Sequence, residues 1–182
     1  CVTGGGGSIG SELCKQIIKY KPKKLIIIER NELNLYNIEN QLKTLPLYDP
    51  KIVELILGSA TRINLVEKIF FENKIDIVFH TAAYKHVPII EINPLEGLYN
   101  NILSTLVICK AGEKAKLKNV MLISSDKAVR PTNVMGASKR VAELIVQAFA
   151  SKYDQDIQDK KTHTNFSMVR FGNVLGSSGS VL

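Results

Sequence analysis

The sequence predicts an α/β chain built on a doubly wound parallel sheet. Three observations carry that prediction. Short apolar runs alternate with longer stretches of helical period. The runs are rich in Ile, Val and Leu without strict alternation. Four consecutive glycines, Gly4 to Gly7, stand directly before the first helical stretch. Alternating β and α segments fold as parallel strands joined by right-handed crossovers. Helices then cover both faces of the sheet, so its strands must be apolar on both sides.

Taken in order, Cys1-Val2-Thr3 reads as the tail of a central first strand, followed by a helix over 8–20. "KLIIIE" (24–29) is the second strand, with a helix over 31–43; "KIVELILG" (51–58) is the third, with a helix over 62–73. "DIVFHTAA" (76–83) leads to a helix over 95–115, and "NVMLISS" (119–125) to one over 135–153. "FSMVRFGNVLG" (166–176) is the last strand, reached through the polar, exposed connection 152–165. No start methionine precedes Cys1 and the first strand is short, so the domain is expected to be truncated at both ends.

A chain of 182 residues suits one domain, and 45% hydrophobic with 23% charged residues is ordinary for a globular protein. No apolar run approaches the roughly 18 residues of a membrane span. Cys1, Cys14 and Cys109 show neither CxxC nor metal-like spacing with His80, His86 or His163, which reads as reduced cytosolic thiols and no metal. The net charge of +7 suits an anionic ligand, membrane or nucleic acid. Its cations are scattered through KYKPKK, EKAKLK and DKK pieces rather than one aromatic-interleaved patch, so a solvated surface is the simpler account and nucleic acid gains no support.

The opening holds T-G-x-x-G-x-x-G at Thr3, Gly4, Gly7 and Gly10. These glycines allow a tight turn, close backbone approach to a pyrophosphate and tight helix–strand packing. The helix N-terminus at Ser8, Ile9 and Gly10 adds N–H groups and a positive dipole end, with Ser8 and Ser11 as candidate caps. Glu29 ends the second strand 19 residues after Gly10, where a carboxylate accepts from an adenosine ribose and favours NAD. Arg30 could instead attract the 2′-phosphate of NADP, and either residue could be plain surface charge. The reading is an NAD(P)-binding Rossmann-like domain over 1–182, with NAD preferred and NADP open.

Ser125, Asp126 and Lys127 end the strand 119–125, at the sheet edge that faces the ligand crevice in such folds. A carboxylate beside an amine offers a proton donor and a base at one point, although an ordinary exposed pair would read the same. Met135 and Lys139 share one helix face, and a thioether has no proton to titrate, so Met135 cannot be a base.

The glycine spacing resembles that of the extended short-chain dehydrogenase/reductase superfamily. "FHTAAYKHVPIIEINPLEGLYNNILST" (79–105), "ISSDKAVRPTNVMGASKRVAE" (123–143) and "VRFGNVLGSSGSV" (169–181) look like the nucleotide-sugar 4,6-dehydratases of polysaccharide biosynthesis, the CapD-like group. That resemblance, which covers essentially the whole chain, implies conversion of a UDP-HexNAc to a 4-keto-6-deoxy sugar. It implies a branch in which Met135 replaces the usual tyrosine and the Asp-Lys pair carries the proton transfers. Lys127 would then be the C5 base if burial and Lys139 leave it neutral. Asp126 would be the acid at C6 and a carrier of the C4 hydroxyl proton, and Ser125 would orient Asp126 or the C4 oxygen. Lys139 would hold the nicotinamide ribose. Ala82 and Ala83 would lie along the cofactor, and Lys85 and Asn173 would meet substrate.

Ser59 stands where relatives often carry an Asp for the adenine amine. His80, His86, Asn100, Asn101 and Arg170 read as structural. The family also implies a cytoplasmic enzyme on the path to surface glycans, a homo-oligomer, a carboxy-terminal substrate region mostly absent from 1–182, and in many members a membrane anchor. A 4-epimerase and a non-catalytic dinucleotide-binding domain are the alternatives.

Overall fold

The computed structural model describes residues 1–154 and 163–174. Most of the predicted connection 152–165 and the "LGSSGSV" end of the third motif lie outside the described residues. Six parallel strands form one sheet: β1 (Val2–Thr3), β2 (Leu25–Glu29), β3 (Val53–Leu57), β4 (Ile77–His80), β5 (Asn119–Ser125) and β6 (Asn165–Phe171). Their order, β3-β2-β1-β4-β5-β6, is that of a Rossmann sheet, with the chain reversing direction across the sheet between β1 and β4.

Ile26 and Ile28 of β2 face one core with Val66, Phe70, Ile108, Leu122 and Val146. Leu25 and Ile27 face the other with Val2, Cys14, Ile18, Ile38 and Leu42. Burial on both sides is why β2 reads as an unbroken apolar run. Helices α1 (Ser8–Lys19) and α2 (Glu32–Lys43) cover the second core, and α3 (Ile63–Glu72), α6 (Ser104–Lys114) and α7 (Val134–Asp154) cover the first. Buried Cys14 and Cys109 are packing groups, with burial pushing each thiol up to about 12.

The structure differs from expectation between β4 and β5. A six-residue α4 (Val87–Ile92) precedes the predicted helix, with Pro88 in its first turn. The single helix over 95–115 is divided into α5 (Pro94–Leu98), a π-helical turn (Tyr99–Leu103) and α6. The π turn turns two neighbouring asparagines, Asn100 and Asn101, into the interior. Asn101 then spends both ends of its amide: Oδ1 accepts from Tyr84 N–H at 2.8 Å, and Nδ2 donates to Tyr84 O at 3.0 Å and Ser138 Oγ at 2.9 Å. Buried side-chain amides are stable only when paired in this way, and a helix register change supplies the geometry.

Candidate functional site

The carboxyl ends of the strands open into two adjoining clefts of about 850 Å³ and about 400 Å³. Gly4, Gly7, Thr81 and Ala83 border both. Ser8, Ile9, Gly10, Lys85, Ser125, Lys127, Met135, Lys139 and Asn173 line only the larger. Glu29, Arg30, Ser59, Ala82 and Asn100 line only the smaller. Thr3 reaches neither: its hydroxyl is fully buried and bonds His80 Nδ1 at 2.6 Å.

The glycine turn is tighter than its spacing suggests. Gly4 has φ +67°, and a Cβ there would stand 2.7 Å from the Ala82 backbone. Gly6 is also required, because its Cβ would fall 2.8 Å from the carbonyl carbon and oxygen of Asn34 in α2. Gly7, by contrast, meets only Gly4 O at 3.3 Å, so folding demands glycine least there. The T-G-x-x-G-x-x-G spacing does not single out Gly6, yet packing of the turn on α2 constrains it as well. Gly7 is also the N-cap of α1, with no side-chain cap; Ser8 starts the helix and Ser11 Oγ donates to Ser8 O at 3.2 Å, so neither serine caps.

Glu29 is buried and braces this turn. Its Oε2 accepts from Gly6 N–H at 3.1 Å and its Oε1 from Asn31 N–H at 3.0 Å. Each oxygen retains a further lone pair. Arg30 crosses the smaller cleft: Nη1 donates to Asn100 Oδ1 at 3.1 Å, and the guanidinium stacks 5.0 Å from the Tyr84 ring centroid. Ser59 Oγ pairs with Thr61 Oγ1 at 2.8 Å. A turn closed to side chains at Gly4, Gly6 and Gly10, beside a helix N-terminus and a carboxylate, fits a dinucleotide.

In the larger cleft, Ser125 Oγ donates to Asp126 Oδ1 at 2.9 Å, and Lys127 Nζ lies 3.6 Å from the same oxygen. Lys127 Nζ also donates to Asn173 Oδ1 at 3.1 Å, a contact between β5 and β6 ends that motif spacing does not show. The Ser125 hydroxyl, and then Lys127, hold the Asp126 carboxyl below its ordinary value; Asp126 is exposed and lines neither cleft. Lys127 is 42% exposed along its side chain, so the described residues do not supply the burial on which its role as a base was conditional. Lys139 is different. It is buried, donates to Ile123 O at 3.3 Å, and burial pulls it down to about 8 against the opposing pull of Glu143. Met135, one turn earlier on α7, is buried as well and lines the same cleft. His80 is buried too, and desolvation keeps it neutral, down to about 3. His86 corrects the structural reading: it is exposed at the N-cap position of α4, makes no side-chain cap there, and lines the larger cleft.

Glu143, absent from the sequence-based site, anchors this region. Its side chain is 0% exposed. Oε1 accepts from Ser124 Oγ at 2.7 Å and Arg170 Nε at 2.7 Å; Oε2 accepts from Arg170 Nη2 at 2.7 Å and Arg140 Nη1 at 3.0 Å. Ser124 and Arg170 are register partners across β5 and β6. The carboxylate therefore fixes the spacing of both strand ends one residue below Ser125. Those donors hold it at about 2, despite burial. The i, i+4 spacing from Lys139 on α7 is the one signal that could have found it.

Residues 1–182 match the polysaccharide biosynthesis protein family throughout. The chain belongs to that family. It is a CapD-like member of the extended short-chain dehydrogenase/reductase superfamily. It is 40% identical to the capsular polysaccharide biosynthesis protein CapD of Staphylococcus aureus, covering 100% of this chain and 29% of that protein. It is 32% identical to the UDP-N-acetylglucosamine 4,6-dehydratase (inverting) of Campylobacter jejuni, and 33% to the UDP-glucose 4-epimerase of Rickettsia bellii, covering 50% of each and all of this chain. The chain thus spans half or less of these relatives. The crystal structure of Pen from Bacillus thuringiensis superposes with TM-score 0.87 at 33% identity, over 99% of this chain and 52% of that one. The dTDP-glucose 4,6-dehydratase DesIV of Streptomyces venezuelae, solved with NAD bound, shares the fold: TM-score 0.74 at 20% identity, over 93% of this chain and 54% of that one.

Proposed function

We propose that this chain is the cofactor-binding core of a UDP-HexNAc 4,6-dehydratase, with UDP-GlcNAc as substrate. The observation that carries the reading is that Lys127 and Asn173, bonded to each other with Asp126 3.6 Å from Lys127, line the same cleft as buried Lys139 and a methionine that cannot titrate. Gly4 to Gly10 would hold the pyrophosphate of NAD, Glu29 the adenosine ribose, and Lys139 the nicotinamide ribose. Bound NAD⁺ supplies a hydride acceptor at C4 and, once reduced, a donor at C6.

Because Asp126 begins as a carboxylate, it can take the C4 hydroxyl proton as the ketone forms. The ketone acidifies C5–H, and Lys127 is the base assigned to remove that proton. Asp126 then passes its proton to the C6 hydroxyl, which leaves as water, and Lys127 returns its proton to C5. Ser125 keeps Asp126 oriented throughout by its 2.9 Å bond. The homo-oligomer, membrane anchor and cytoplasmic setting belong to the same proposal for the complete protein.

The test is incubation of the complete protein with UDP-GlcNAc and analysis of the product by mass and NMR. A 4-keto-6-deoxy product with loss of water is expected, with Asp126→Asn and Lys127→Ala each slower by about 10²- to 10⁴-fold. Near-native dehydration by either variant sinks the assignment, and a product of unchanged mass makes the protein an epimerase.

A further inference from the structure

A nucleotide-sugar site accounts for cations at the carboxyl ends of the strands, but not for those at the amino ends. Four described connections reach that edge, before β2, β3, β4 and β5. They present Lys21, Lys23, Lys51, Lys74 and Lys116 as exposed side chains with no partner among the described residues. Lys24 and Lys118 beside them are paired with Glu54 and Asp76. The remaining carboxylate of these connections, Asp49, accepts from the Lys51 backbone N–H at 2.8 Å.

Three of these lysines are in left-handed backbone: Lys21 at φ 50°, Lys74 at φ 49° and Lys116 at φ 54°. They lie just beyond α1, α3 and α6, the place a helix ordinarily gives to glycine. The helix dipole favours a cation nearby, yet a flexible ammonium need not come from the strained residue itself. Exposed apolar side chains stand near them: Tyr20 (85%) and Leu47 (44%) precede Lys21 and Lys51 in the same connections, and Phe71 (50%) lies in the last turn of α3, ahead of Lys74. With strands about 4.8 Å apart, this edge runs about 19 Å from β3 to β5.

Unpaired lysines interleaved with exposed aromatic and aliphatic groups match an anionic lipid–water interface, where ammonium meets phosphate and rings sit at headgroup depth. Nucleic acid is served less well, since these four connections contain no arginine to fork onto a phosphate or a guanine. We propose that the amino edge of the sheet docks on the surface of an anionic bilayer, which leaves the opposite, cleft-bearing edge open. The inference rests on charge and exposure and is independent of the reaction assigned above.

The complete protein is compared with its Lys21→Gly/Lys74→Gly/Lys116→Gly variant. Glycine carries no steric cost at these φ values, so the thermal midpoint should hold or rise while three charges are lost. Co-sedimentation is measured with phosphatidylcholine vesicles, plain or containing about 30 mol % phosphatidylglycerol. The expected result is preference for the anionic vesicles, weakened about 100-fold in the triple variant. If the protein stays in solution with plain vesicles, failure to bind the anionic ones, or an unchanged triple variant, overturns the proposal. So does tighter binding to duplex DNA than to anionic vesicles. An anchor elsewhere in the complete protein would hold every form on every vesicle, so a fluorophore on Lys23→Cys is read as well. Its emission should shift to the blue on anionic vesicles and not in the triple variant, and the absence of a shift overturns the docking.

Discussion

The two halves of the sheet are built for binding by different means. In the β1–β3 half, one contiguous turn, Gly4 to Gly10, offers backbone amides braced by a single carboxylate, Glu29. In the β4–β6 half, side chains from three distant segments converge: Ser124–Lys127, Met135–Glu143 and Arg170–Asn173. Buried Glu143 holds those segments together. A backbone site fails when a Cβ is added; a side-chain site fails when a charge is taken away. The first kind is written in adjacent letters of the sequence, and the second is not.

The largest effect should therefore come from Glu143→Ala. It leaves Arg170 and Ser124 without their acceptor inside the β5–β6 junction, at a cost of about 3 kcal/mol. A thermal midpoint equal to that of the native protein would break the comparison. The pH dependence has a definite sign. Glu143 is depressed in the fold to about 2 from an ordinary 4.5, so its contribution is complete above 4.5 and is lost as pH falls through about 2. Urea unfolding across that window should fall less steeply for Glu143→Gln than for the native protein.

In the glycine half, Gly6→Ala and Gly7→Ala should separate folding from binding. Gly6→Ala drives a methyl against the α2 backbone and should cost about 2 kcal/mol. Gly7 has φ −74° and ψ 169°, open to any residue, so Gly7→Ala should change stability by less than about 1 kcal/mol. Its methyl would still stand in the proposed pyrophosphate path, and NADH fluorescence titration should show weakened binding. If Gly7→Ala is the less stable of the two, the packing account of this turn is wrong.

What was legible follows the same division. Strand β5 was read to the residue, and α1, α2 and α3 within one residue at each end, because periodicity and burial act locally. The glycine spacing and Glu29 were visible for the same reason. The π turn was not, since a one-residue register change leaves an amphipathic pattern nearly intact and is fixed by Asn101 reaching Tyr84 and Ser138. Helix α4 was missed because "VPIIEI" leaves Ile89 and Ile92 exposed and shows no apolar face. Its Glu91 makes sense only in three dimensions, where it accepts from Val134 N–H at 2.6 Å and caps α7. Glu143 has its partner 27 residues away, and only β6 brings Arg170 to it.

The smallest and sharpest difference lies at Lys139. Its folded value of about 8 is below the ordinary 10.5, because burial penalises the ammonium more than Glu143 favours it. Between those values the unfolded chain holds a proton that the folded chain has released, so stability rises with pH there. Below about 8 the fold carries the full penalty. Lys139→Met, similar in length and without charge, should therefore be the more stable form at neutral pH. The native protein should regain about 1 kcal/mol on it over about one pH unit above 8. Paired urea titrations read this directly, and parallel slopes for the two forms would mean that Lys139 is better solvated than its surroundings indicate. A stabilised variant that also loses NADH affinity would show that the β4–β6 half keeps a costly buried cation for the ligand and not for the fold.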